Sequence, residues 1–118
     1  MKYRILKDGE LLIVRELLRR SLPGAWHSTD LTSLRAKDMD DGGMGSLTFA
    51  SATREPRYGR TISEAWFRDS DQVPVVVSLN LDQNDELFEL DCWKVDFTVR
   101  KTLPSDPGSI MDGPANMP

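Results

Sequence analysis

The chain has 118 residues, 15 Lys/Arg against 19 Asp/Glu, and a formal net charge of −4, which fits one domain able to bury about two thirds of its unfolded surface without staples. A single cysteine, Cys92, excludes an internal disulfide and a cysteine-built zinc site, and a single histidine, His27, excludes a histidine-built one. No run approaches the ~18 apolar residues of a membrane span, and Lys7, Asp8 and Glu10 break the N-terminal apolar segment, so the expectation is a cytoplasmic protein without a membrane partner.

Residues 8–22 read as a helix. Asp8 suits the N-cap, Glu10 the first turn, and Arg15, Arg19 and Arg20 the end favoured by positive charge. Leu11, Val14, Leu18 and Leu22 recur at helical spacing, Leu12 and Leu17 widen the stripe, and Pro23-Gly24 stops it. Residues 25–33 read as a loop or a short helical turn, and 34–38 as a short strand. Residues 46–53 alternate with Leu47 and Phe49 on one face, 54–60 form a polar connection, and 61–69 and 73–82 read as strands. Pro74 near a strand start costs no ladder bond.

Residues 86–99 are long for one strand. Phe88, Leu90 and Cys92 share one face, whereas Trp93, Val95, Phe97 and Val99 share the other, which predicts a β-bulge or sharp coil at Cys92-Trp93. From 103 to 118 the chain is rich in proline and poor in apolar residues and reads as a disordered tail, with Ile110 and Met111 as its local anchors. The expected fold is one α+β domain over 1–102. Its N-terminal helix packs on a curved antiparallel meander sheet of four or five strands.

Three candidate chemistries attach to DMDDGGMGSL, residues 38–47. A calcium loop would use Asp38 and Asp40, but its fifth position would be Gly42 and its twelfth Phe49, where a bidentate Glu is needed. A phosphate cradle would lack its Lys-Ser/Thr and have three acids beside it. The remaining reading is a hairpin turn at Asp41-Gly42, with Met44 at its tip. Cys92 reads as a buried inert thiol, a Cys92–His27 pair has no support from spacing, and G-x-S-x-G is absent. No catalytic residue, metal or cofactor is expected.

Residues 1–37 carry eight Lys/Arg against four acids, and residues 38–102 carry seven against thirteen. The acidic part argues against nucleic acid, because a phosphate-binding face needs clustered cations. The run Asp82, Asp85, Glu86, Glu89, Asp91 reads either as a solvated strand edge or as an acidic surface for a basic partner protein. Trp66 and Trp93 are equally suited to the core and to an interface, with Trp93 favouring the core.

Two segments, DMDDGGMGSLTF (38–49) and VPVVVSLNLDQNDELFELDCWKVDF (73–97), resemble a family of small bacterial proteins that is a domain of unknown function. The first match runs over Asp38, Asp40 or Asp41, Gly42, Gly43, Met44, Gly45, Ser46 and Leu47. The second runs from Leu79 and Asn80 through Glu86, Glu89 and Asp91 to the Trp93, Lys94, Val95, Asp96, Phe97 string. This resemblance implies no activity. Small acidic α+β proteins are also similar in character to immunity proteins of bacterial toxin systems, which implies a protein partner.

The expected function is a non-enzymatic binding module using Asp40, Asp41, Met44, Trp66, Glu86, Glu89, Asp91 and Trp93. The alternative is a small-molecule module or small enzyme with a pocket between helix and sheet, lined by Trp66, Trp93, Glu89 and Asp91. A homodimer built through the sheet also fits.

Overall fold

The computed structural model describes residues 2–114 and 117. Strand β1 (Arg4–Ile5) leads into helix α1 (Asp8–Arg20), a 3-10 turn (Ala25–Ser28), and strands β2 (Arg35–Asp38), β3 (Leu47–Phe49), β4 (Tyr58–Arg68), β5 (Pro74–Asp82) and β6 (Leu87–Lys94). A second 3-10 turn (Pro107–Ser109) precedes β7 (Met111–Asp112).

Among the described residues, seven strands form one antiparallel sheet in the order β1-β2-β3-β6-β5-β4-β7. This corrects the expectation of four or five strands. The two additional strands, β1 and β7, are two residues each and too short to show any period. Nor is the sheet a simple meander. β3 lies beside β6, so the β3–β4 connection passes two strands, as the long connection of a Greek key does.

Helix α1 is capped one residue earlier than expected, so that Asp8 is its first residue and not its cap. Lys7 is the N-cap, and its N–H donates to Glu10 Oε1 at 2.8 Å. Glu10 is buried and held by Arg4, whose two terminal nitrogens reach its oxygens at 2.8 and 3.0 Å, while Arg4 also grips Asp38 on β2. The charges thus tie β1, the helix start and β2 together. Ile13, Val14, Leu17 and Leu18 are buried, and α1 packs over β4 and β5. Ser21 caps the end, so the expected last member of the stripe, Leu22, falls outside the helix and is 82% exposed.

One sheet face meets α1 and forms the core, with Ala36, Leu47, Phe49, Phe67, Val77 and Leu90 among its members. β4 carries two register shifts against β5, one at Gly59 and one at Ile62. Gly59 is required, because a Cβ there would enter the Asp82 carbonyl. β6 has a shift of its own at Phe88, where Asn80 faces Glu89 but Leu81 faces Leu87. Bulges of this kind raise local twist and give the sheet its curvature.

The irregularity expected at Cys92-Trp93 is therefore found four residues earlier. The strand stops at Lys94, where Phe97 N–H closes a turn onto the Lys94 carbonyl at 2.8 Å. Trp93 and Phe97 do not share a strand face.

The disordered tail expected over 103–118 is replaced, through residue 114, by a packed segment. Leu103 lies against Gly9, Ile110 is 3% exposed, and β7 pairs with β4 at Ala65 and Trp66. Arg20 donates to the Ile110 and Met111 carbonyls at 2.7 and 3.2 Å, supplying the anchor that low apolar content conceals. The expectation for residues 115, 116 and 118 lies outside the described residues.

Candidate functional site

The sheet face away from α1 is uncovered. Strand alternation sends Val75, Val77, Ala65 and Phe67 to the core and their neighbours Val76, Ser78, Glu64 and Trp66 to this face. Register then places side chains in rows across the strands. Trp93, Val76, Trp66 and Met111 stand in one row on β6, β5, β4 and β7. Asp91, Ser78 and Glu64 form the next, followed by Glu89, Asn80 and Thr61.

Hydrogen bonds fix the polar rows. Tyr58 Oη and Thr61 Oγ1 are 3.0 Å apart, Thr61 Oγ1 donates to Asn80 Oδ1 at 2.7 Å, and Asn80 Nδ2 donates to Asp91 Oδ2 at 2.9 Å. Ser78 Oγ donates to Glu64 Oε2 at 2.9 Å. Burial and the charge of Asp91 hold the Glu89 carboxyl above the ordinary value, against a hydrogen bond from Asn80.

Trp93 is 43% exposed, which corrects the expectation that it belongs to the core. Its ring meets that of Phe97 with centroids 5.9 Å apart. Phe97 is 71% exposed and sits at φ +63°, in the left-handed region. The other described non-glycine residues there, Glu55, Gln72 and Asp85, are polar. For a bulky residue that backbone costs about 1–2 kcal/mol, and an aromatic pair returns about 0.5–1.5 kcal/mol. Stability alone gives no reason to present a phenyl ring to solvent this way.

The turn that carries Phe97 is braced from below. Lys94 is fully buried and donates to Asp69 Oδ2 at 2.9 Å, Asp71 Oδ2 at 2.6 Å and the Val99 carbonyl at 3.1 Å. Burial opposes its charge, but the bonds to Asp71 and Asp69 outweigh it and raise the pKa. Asp69 also accepts from Ser70 N–H, Lys101 N–H and both Thr102 donors. Burial pushes its carboxyl up, yet the Lys101 N–H, Lys94 and the other donors hold it far below the ordinary range. Asp69 carried no expectation, and Lys94 entered only as part of the family-like string without a role. Their only local signal is a lysine alternating with Leu90 and Cys92 on an inward face.

The 38–47 stretch is the β2–β3 connection, but not a two-residue hairpin at Asp41-Gly42. The positive-φ positions are Gly42, Gly43 and Gly45. Asp41 turns its carboxylate inward to accept from Met44, Gly45 and Ser46 N–H at 3.1, 3.4 and 2.8 Å, which widens the loop. Burial raises the Asp41 pKa, and these bonds bring it below the ordinary value. Val99 lies against Gly43, and Arg100 N–H donates to the Gly43 carbonyl at 3.1 Å, so this loop and the Phe97 turn are one unit.

The eight expected site residues therefore divide. Asp40, Asp41 and Met44 lie at the Trp93 end of the sheet, with Asp40 exposed and Asp41 committed to its loop. Asp91, Glu89 and Trp66 lie on the uncovered face. Glu86 is at the other end, roughly 20 Å of strand from Trp93, in a cleft of about 340 Å³ with Trp26, Thr29 and Asp85. The alternative pocket between helix and sheet is not formed by its expected lining, since Trp66, Trp93, Glu89 and Asp91 face away from α1.

Ser21 and His27 make a contact the sequence did not reveal, with Oγ 2.9 Å from Nε2. Ser21 Oγ spends its one proton on the Leu18 carbonyl at 2.7 Å and accepts from Trp26 Nε1, so it acts as a cap and not as a nucleophile. Burial pushes the Cys92 thiol up to about 12, and it is inert. Among the described residues no group of three or more His, Cys, Asp or Glu is placed to hold a metal ion, and no helix is long and apolar enough to cross a membrane.

Comparison with curated proteins and with solved structures returns no match. Residues 3–104, from the strand before α1 to the segment just past the Asp69 clamp, match the model of a domain of unknown function, DUF6984, and the chain belongs to that family.

Proposed function

We propose that this domain is a non-enzymatic protein-binding module, whose contact surface is the uncovered sheet face and the Phe97 turn at its end. The carrying observation is Phe97 itself, an aromatic ring held 71% exposed on a left-handed backbone against a half-exposed Trp93. Such rings are the usual anchors of protein interfaces. Glu64, Glu89 and Asp91 beside them would steer a basic partner, such as a cationic toxin or effector.

Capture from native lysate by the tagged full-length chain, washed at low and then high salt, tests this reading. One stoichiometric partner should be retained at low salt by the wild type and lost with Phe97→Gly. Equal retention by the variant, or no retained partner, overturns the reading.

A second reading, a ligand-binding or acid–base site, draws on the raised Glu89 carboxyl next to Asp91. Asn80 already occupies one Asp91 oxygen, so the pair is less free than an acid–base couple requires. A small-molecule screen that shifts Glu89 and Asp91 resonances together would favour it.

A further inference from the structure

Resting on the binding-module reading, we infer that the partner element is an amphipathic helix with one basic flank, lying across the strands along the Trp93, Val76, Trp66, Met111 row. The row is apolar over four adjacent strands, about 14 Å at the usual strand spacing. Its ends are accessible, with Trp93 43% and Met111 45% exposed, while Val76 and Trp66 fill the middle at 7% and 6%.

Spacing selects the partner's conformation. Strands repeat every ~4.8 Å, and a helix returns residues to one side every ~5.4 Å. An extended segment returns them every ~6.7 Å. Residues at i, i+4 and i+7 of a helix therefore follow the row with the smaller mismatch, in the helix-in-groove manner.

Charge selects its orientation. On one side, about 6.7 Å away, runs the row of Asp91, Ser78 and Glu64, with Glu89 in the row beyond. On the other side stands Arg68, its guanidinium 5.5 Å from the Trp66 ring centroid. Lysines or arginines on the partner's flank meet the acids on the first side and would be repelled on the second.

The test uses the ¹⁵N-labelled full-length chain and a synthetic helical peptide of about three turns, with leucines at i, i+4 and i+7 and lysines along one flank. At low salt, shifts should be confined to residues 64–66, 76–78, 91–93 and 111 and include the Trp66 indole. Glu64→Lys, an exposed position, and the double variant Glu64→Lys/Asp91→Lys should each weaken binding, the double at least tenfold. A peptide with glutamates in place of lysines should bind at least tenfold less tightly.

Equal affinity for the two peptides, shifts centred on the 83–86 turn, no binding, or indifference to both variants overturns the inference. So does concentration-dependent broadening of these same residues without peptide, which would make a second copy the occupant. A lysate partner lost with Phe97→Gly, together with a peptide that leaves the row unshifted, removes the helical partner and leaves the binding module standing.

Discussion

Asp69 and Glu89 are carboxylates of one sheet with opposite surroundings. Asp69 is buried on the turn after β4 and accepts from five donors, among them Lys94 and the Lys101 and Thr102 N–H groups. Glu89 faces outward on β6 with Asp91 as its charged neighbour. One is held below the ordinary carboxylate range and the other above it. Two acids of one domain thus have contrary effects on it. The first stabilises it, and the second is a charge the folded chain would be slightly better without.

The most forceful way to break this contrast is Asp69→Asn, which removes the counter-charge from a buried Lys94. Thermal unfolding should move down by roughly 10 °C or more, since cutting one partner out of a buried pair strands the other. Acid titration should agree. Asp69 keeps its charge below the ordinary pKa of ~3.9, so its contribution is complete above that value and fades as the pH falls further. The variant should lose that part of the acid slope.

Phe97 sharpens the contrast from the apolar side. Phe97→Ala should lower stability by about 1 kcal/mol, because it discards the Trp93 pair and keeps the strained backbone. Phe97→Gly relieves the backbone and should be the more stable of the two, within a few degrees of wild type. Unfolding curves in which alanine exceeds glycine would contradict the left-handed assignment.

The smallest effect is the most telling in sign. Glu89→Gln should raise the melting temperature at neutral pH by about 1–2 °C, a small effect because the half-buried site is still partly screened by water. Glu89 binds its proton above the ordinary value, so its contribution favours folding below ~4.3 and is lost as the pH rises through the raised value. A destabilised Glu89→Gln would place Glu89 with Asp69.

Much of this was legible in the chain. Val14, Leu17 and Leu18 of the α1 stripe and the β4 and β5 apolar runs follow from period. The Asp69 clamp was not, because Lys94 lies 25 residues away in sequence and Thr102 lies 33 away. Local pattern carries no information about such pairs. Trp93, Val95, Phe97 and Val99 mimic a strand face, and only the turn closed at Lys94 shows that they are not one. Of the eight expected site residues, the outward set on β6 was readable by alternation. Glu86 stands apart from them because it precedes β6 and the length of that strand separates it from Trp93.

The clamp on Asp69 also sets when the chain can be whole. Three of its five donors belong to Lys101 and Thr102, near the end of the family match. During synthesis the turn after β4 emerges long before them and carries a carboxylate without its full set of partners. Closure must wait for β6, which brings Lys94, and for the segment just after it. A polypeptide halted short of Lys101 is therefore better described as prey for proteases than as a smaller edition of this domain.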